Sequence, residues 1–336
     1  MIGILKPLRR LLISNVVMKV MKSVLRQISD TERTALEAGV VWVEKDLFSG
    51  KPDLKKLKQE PYPELTEDEK AFLNGPVEEA CKLVNDWEIW QNREMPEEVW
   101  SYLKKEKFFG MIIPKEYGGL GFSALAHGAV VEKLSSRSVV AGVTVMVPNS
   151  LGPAELLNHY GTQEQKDRLL PKLAVGEELP CFGLTEPQAG SDAGSITAEG
   201  SLFKGDDGKL KIKINFNKRW ITLAAKATTI GLAFKLLDSE DLLGTGKVDQ
   251  GITCALIPAS TPGIEKGRRH DPLGVPFYNC PIRGKDVVVD VEETVVGGAS
   301  GIGVGWSMLM DSLGAGRGIS LPSQSTGGIK MAFHVC

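Results

Sequence analysis

The sequence predicts an α+β multidomain protein: a helical domain, then a β domain, then the opening of a second helical domain. Three observations carry this expectation. Apolar residues recur at helical spacing between Pro76 and Ala174. The period drops to two at Leu210–Asn217, and it returns to helical spacing after Gly305. The 336 residues are enough for two or three domains with cores of their own. Hydrophobic residues make up 42% and charged residues 24%, the composition of an ordinary globular chain.

The first thirty residues form a basic segment. Lys6, Arg9, Arg10, Lys19, Lys22 and Arg26 all precede the first acid, Asp30. Read as a helix over 11–28, Ile13, Val16, Val17, Val20, Met21, Val24 and Ile28 share one face, and Lys19, Lys22 and Arg26 share the other. Three readings are open: a helix lying on an anionic membrane surface, a helix docked on the protein's own body, and a mitochondrial transit peptide. It does not span a bilayer, because no uncharged apolar run reaches about 18 residues.

Residues 31–74 read as a linker with short helices, one near Glu32–Glu44 and one opened by the capping box Thr66-Glu67-Asp68-Glu69 and closed by Asn74-Gly75-Pro76. The helical domain spans 75–178, with helices expected at Pro76–Trp90, Pro96–Lys107, Ser123–Leu134 and Leu151–Tyr160. A further one starts at Gln163 behind a second capping box, Thr162 with Gln165. The β domain spans 179–297. Leu210, Ile212, Ile214 and Phe216 alternate with Lys211, Lys213, Asn215 and Asn217 after a hairpin turn at Gly205–Gly208. Strands are also expected at Thr228–Leu236, Ile252–Ile257 and Val287–Val291, and residues 298–336 begin the last domain.

Several functions are excluded or left without support. A net charge of −2 gives no basis for nucleic-acid binding. The five cysteines, Cys81, Cys181, Cys254, Cys280 and Cys336, are scattered and odd in number, which argues against a disulfide framework or a zinc site and suits a reducing compartment. His127, His159, His270 and His334 lack metal-ligand spacing. Gly301–Gly305 lacks the spacing of a dinucleotide loop. Gly267-Arg268-Arg269-His270 reads as a solvated loop rather than a phosphate site.

The loop Phe182-Gly183-Leu184-Thr185-Glu186-Pro187-Gln188-Ala189-Gly190-Ser191-Asp192 is the most informative stretch. Its two hydroxyls, proline and two glycines by composition favour a surface turn over a loop that brings backbone donors to a polar ligand, and it is the order of the string that shifts the balance. Its order resembles the T-E-P-x-A-G-S-D signature of acyl-CoA dehydrogenases. Ile113-Pro114-Lys115-Glu116-Tyr117-Gly118-Gly119-Leu120-Gly121, the run from Tyr160-Gly161-Thr162 to Leu170-Pro171-Lys172-Leu173-Ala174, and Lys218-Arg219-Trp220-Ile221-Thr222 are similar to further segments of that family, in the right order from about residue 75 onward. The basic N-terminus and the linker resemble the bacterial long-chain, membrane-associated branch.

That resemblance implies FAD as cofactor, with Phe182, Leu184, Thr185, Gly190, Ser191, Trp220, Ile221 and Thr222 against the flavin. On a strand, Trp220 and Thr222 would share one face. It implies an acyl-CoA contact at Ser191, where a plain turn-capping serine is the alternative, and another at Arg317. The implied reaction is α,β-desaturation of medium- or long-chain fatty acyl-CoA, the first step of β-oxidation. An electron-transfer flavoprotein is the implied acceptor, with a homo-oligomeric assembly and a bacterial cytoplasmic location peripheral to the inner membrane. The family's base is a glutamate in a late helix, and nothing in residues 1–336 matches its surroundings. The expectation is therefore a chain that stops short of its catalytic residue and does not desaturate acyl-CoA at a family-like rate. Two rivals stand beside this reading: an acyl-CoA oxidase or flavin monooxygenase of the same fold, and a non-catalytic membrane-associated protein that binds flavin or acyl-CoA.

Overall fold

In the computed structural model, residues 13–24, 44–150 and 152–336 are described. The chain divides into two units, residues 1–37 and residues 38–336, each taken by itself. In the first lies helix α1, Asn15–Val24, with Val16, Val17, Met18, Val20 and Met21 exposed. The remaining turns of the expected 11–28 helix, with Arg26 and the side chain of Lys22, lie outside the described residues, as does most of the helix expected near Glu32–Glu44. No helix among the described residues is long and apolar enough to cross a membrane.

The second unit opens with two short helices, α2 at Glu44–Phe48 and α3 at Leu54–Gln59, the latter capped by Asp53. Helix α4, Glu67–Asn74, begins at the expected capping box. The Thr66 hydroxyl accepts from the Glu69 N–H, and the Glu69 carboxylate accepts from the Thr66 N–H at 2.8 Å and from the Ser123 N–H at 2.7 Å. One buried carboxylate therefore caps two helices. Burial alone would push its pKa up, but these backbone donors outweigh burial and hold it below the usual range.

The single helix expected over Pro76–Trp90 is two helices, α5 (Pro76–Leu83) and α6 (Asp86–Asn92). The break follows from Asn85, whose side chain accepts the Glu88 N–H and starts a new helix. Helix α7 is Glu97–Lys105, and α8 is Ala124–Arg137 behind the Ser123 cap. Helix α9, Val139–Met146, was not expected, because Val-Val-Ala-Gly-Val-Thr-Val-Met has no polar face and carries β-branched residues. It is buried almost all round, and Gly142 lets α8 approach. A methyl there would stand 2.0 Å from the Ser135 hydroxyl. Helices α10 (Pro153–Tyr160) and α11 (Gln163–Ala174) complete the domain. Its core gathers Phe72, Trp100, Leu103, Phe108, Phe109, Leu134 and Val145.

The β domain is a seven-stranded sheet: β1 Pro180–Gly183, β2 Glu199–Lys204, β3 Leu210–Ile221, β4 Thr229–Leu237, β5 Asp249–Pro258, β6 Ile264–Lys266 and β7 Cys280–Asp290. Strand β4 has β5 antiparallel along one edge. Strands β1 and β2 lie one after the other, parallel to it, along the opposite edge. Strand β2 continues through β3 and β7 to β6, all antiparallel. Ile230, Leu232 and Phe234 of β4 enter a core shared with Ile212, Ile214 and Val287, while Ala233 with Cys254 and Leu256 of β5 faces a second core against α10 and α11. Burial on both faces explains why β4 and β5 read as unbroken apolar runs, where β3 alternates.

After a short helix, α12 at Val291–Thr294, the chain enters α13 (Gly305–Ala315), a π-helical turn (Gly316–Ser320) and α14 (Leu321–Val335). Helix α14 crosses α8 closely at Gly327, where an added methyl would stand 2.4 Å from the Glu132 carbonyl. On α14, Ile329, Phe333 and Val335 are exposed.

Candidate functional site

Strand β1 delivers the signature loop. Its short register with β4 places Phe182 opposite Gly231, and the absent Cβ there makes room for the ring, since an added methyl would stand 2.4 Å from it. The chain then turns at Glu186–Ala189, each residue's N–H donating to the other's carbonyl at 3.1 and 3.3 Å. Gly183 lies against Lys218 and Leu232, whereas Gly190 has open space where a side chain would stand. The two glycines thus play different parts. One permits packing, and the other leaves a flank of the loop clear.

The loop is fastened to β3 by three bonds. The Lys218 ammonium donates to the Glu186 carboxylate at 2.7 Å and to the Leu184 carbonyl at 3.1 Å, and the Arg219 N–H donates to the Thr185 carbonyl at 2.9 Å. Glu186 also accepts from the Thr197 N–H at 2.6 Å, the Thr197 hydroxyl at 2.8 Å and the Ala198 N–H at 3.0 Å. The ion pair is buried, with 0% of the Lys218 and 1% of the Glu186 side chain exposed. Burial would raise the carboxyl's pKa, yet Lys218 and Thr197 hold it down; burial lowers the Lys218 ammonium, and Glu186 opposes that fall. Sequence reasoning quoted both residues inside their strings and gave neither a role.

The ladder between β3 and β7 is irregular from Lys218 to Ile221, and Trp220 sits there in the left-handed region with φ of 62°. Inside–outside alternation slips by one residue, so Arg219 and Trp220 are both exposed and Ile221 turns inward. Trp220 keeps 47% of its surface exposed. The Arg219 guanidinium lies 4.5 Å from the indole centroid, and the His270 ring lies 4.0 Å away, with its Nε2 accepting the Trp220 N–H at 3.2 Å.

The expected site residues thus separate. Thr185 is half-buried beside the exposed Trp220, and Ser191 is exposed on the same loop. Thr222 is half-buried one residue beyond the end of β3, so the expected strand geometry for Trp220 and Thr222 does not hold; the bulge and the strand end intervene. Ile221 is 3% exposed inside the β core, which leaves its side chain no access to a ligand. Phe182 and Leu184 pack against the core that holds Leu157, Leu256 and Leu309. Gly190 keeps its open flank. Arg317 falls in the π-helical turn, and its side chain lies outside the described residues.

Residues fit for a flat aromatic cofactor are therefore present: an exposed indole, with Thr185 bonded to the Arg219 next to it, and on the same loop as Thr185 the free flank of Gly190. No group of three or more metal-ligating side chains occurs among the described residues. The cysteines described are all free thiols, and burial pushes Cys254 up to about 12. Arg269, expected in a solvated loop, instead donates to the carbonyls of Arg93, Pro276 and Phe277.

Residues 66–177 match the family of the acyl-CoA dehydrogenase N-terminal domain, and residues 181–287 match that of the acyl-CoA dehydrogenase middle domain. The human mitochondrial very long-chain specific acyl-CoA dehydrogenase is 32% identical over 262 residues, 76% of this chain and 39% of that one. The fold of butyryl-CoA dehydrogenase from Megasphaera elsdenii superposes with a TM-score of 0.68 at 24% identity, covering 81% of this chain and 68% of that one. An acyl-CoA dehydrogenase from Bacillus anthracis, solved in complex with FAD, gives a TM-score of 0.64 at 21% identity over 79% of this chain and 42% of that one. The chain spans between 39% and 60% of the length of the curated relatives it matches. With both domain families matched in order over a helical domain and a β domain, this chain belongs to the acyl-CoA dehydrogenase family.

Proposed function

We propose that residues 38–336 carry the flavin-facing part of an FAD-dependent acyl-CoA dehydrogenase that desaturates medium- or long-chain fatty acyl-CoA. One observation carries the reading. The two strings that resemble the family's flavin contacts, 34 residues apart from Leu184 to Lys218, are joined by Lys218 and Arg219 into one patch that presents Trp220 beside Thr185. FAD bound there would supply the two-electron oxidant. The chain's own residues do the holding: Thr185 offers a hydroxyl to the ring's polar edge, and Trp220 covers an apolar edge from water. Lys218 and Glu186 fix both in place. Ser191 and Arg317 are the proposed acyl-CoA contacts, and an electron-transfer flavoprotein is the proposed acceptor.

Palmitoyl-CoA added to the flavin-loaded protein should shift the flavin absorbance bands, because both ligands meet at one patch. An unchanged spectrum with short, medium and long acyl-CoA alike would count against the assignment.

The apolar, exposed face of α1 supports a second element of the proposal, a peripheral hold on an anionic membrane through residues 11–28.

A further inference from the structure

His270 reaches Trp220 from a loop that the chain fixes firmly. The His270 N–H donates to the Asn279 carbonyl at 3.0 Å, and Gly267 donates to the Pro281 carbonyl at 2.9 Å, so the β6–β7 ladder runs on into the loop. Arg269 anchors its far side through three carbonyls. Trp220 is not anchored in that way. Its backbone has left the ladder, φ is positive for a bulky residue, and nearly half its surface is open. Besides the Arg219 guanidinium over its ring, what holds it is His270, whose ring lies against the indole at a tilt of 42° and accepts its backbone N–H.

A backbone N–H can only donate, so Nε2 must carry a lone pair and the ring must be the neutral Nδ1–H tautomer. A proton on Nε2 would set two donors against each other. The charged group whose field reaches the ring is Arg219 from β3, its guanidinium lying over the Trp220 indole. On the loop itself, Asp271 is turned to Arg93 at 2.9 Å, and Arg269 is committed to its carbonyls. Burial first, and then Arg219, keep the imidazole's pKa below its ordinary value.

We propose that His270 is a positioning residue: as neutral imidazole it fixes Trp220 in the exposed left-handed pose from which the indole meets the bound flavin. The functional half rests on the flavin assignment made above. The positional half stands on the geometry alone.

The two halves separate in one experiment. The protein is labelled with 5-fluorotryptophan, the Trp220 signal is assigned with Trp220→Phe, and 19F spectra are followed from pH 8 to pH 5. The Trp220 signal should move with a midpoint below the ordinary histidine value. In His270→Phe, which keeps a ring but no acceptor, it should be displaced and independent of pH. In His270→Gln, which restores an acceptor, it should return towards the wild-type position. The other tryptophan signals report that each variant is folded. A Trp220 signal identical in wild type and His270→Phe across this range overturns the positional link. FAD titration gives the second readout, with about fivefold weaker binding expected for His270→Phe, the worth of one hydrogen bond. If Trp220→Ala binds FAD as wild type does, the flavin assignment fails while the 19F result still decides the role of His270.

Discussion

Lys218 carries a charge into the protein interior, and Glu186 makes that tolerable. Breaking such a pair leaves an uncompensated buried charge, at a cost of about 3–5 kcal/mol. Lys218→Met should therefore lower stability by that amount in urea unfolding. Lys218→Met with Glu186→Gln should lose less, because the glutamine still accepts from Thr197 and carries no charge. Equal losses would mean that the pairing is not what holds the loop. His127 is a second buried group, 3% exposed, with burial pulling its pKa down to about 4. It stays neutral in the fold, while the unfolded chain takes up its proton below about pH 6.5. Its contribution is whole above pH 6.5 and is lost as pH falls towards 4, up to about 3 kcal/mol at 1.36 kcal/mol per unit. The difference in urea midpoint between wild type and His127→Phe should change over that window and be constant above it. The strings containing Thr185, Glu186, Lys218 and Trp220 were legible in the sequence. The Glu186–Lys218 bond was not, because a contact between residues so far apart leaves no periodic trace.

Helix starts were written most plainly at the level of elements. Thr66 with Glu69 and Thr162 with Gln165 both form the capping boxes their spacing announces. Helix α9 was hidden for the opposite reason: a helix buried on all sides has no polar stripe to betray its period. The short strands β1 and β6 offer too few residues for alternation to show. The Gln165 amide does more than cap. It donates to the carbonyls of Glu292 at 3.0 Å and Val295 at 2.7 Å and accepts from the Gly297 N–H at 3.1 Å, tying α11 to the exit of the β domain. Thr162→Ala should cost about 1 kcal/mol as a lost cap. Gln165→Ala should cost more, because buried groups are left without partners, each worth about 1–3 kcal/mol. The reverse order in thermal or urea unfolding would refute this account of the joint. For α1, binding to anionic vesicles should weaken with salt, at about 1 kcal/mol for each basic residue near the surface. Equal sedimentation with neutral and anionic vesicles would remove the membrane proposal.

Across the molecule, the helical and β domains are joined around Tyr278. Its hydroxyl donates to Glu94 at 2.6 Å and accepts from the Met95 N–H at 2.8 Å, while Arg93 donates to the Gly274 carbonyl at 2.7 Å. The order of domains was legible from the change of period alone, whereas this joint lies in loops that carry no pattern. Its consequence is that the loop bearing His270 is braced from the helical side, and the patch around Trp220 is braced with it. The central claim is that this patch receives flavin, and titration of the protein with FAD tests it most directly. Wild type should bind with saturation and perturb the flavin spectrum, Thr185→Val should alter that spectrum, and Trp220→Ala should lower occupancy. Flavin content and spectrum that are the same in wild type and both variants would contradict it.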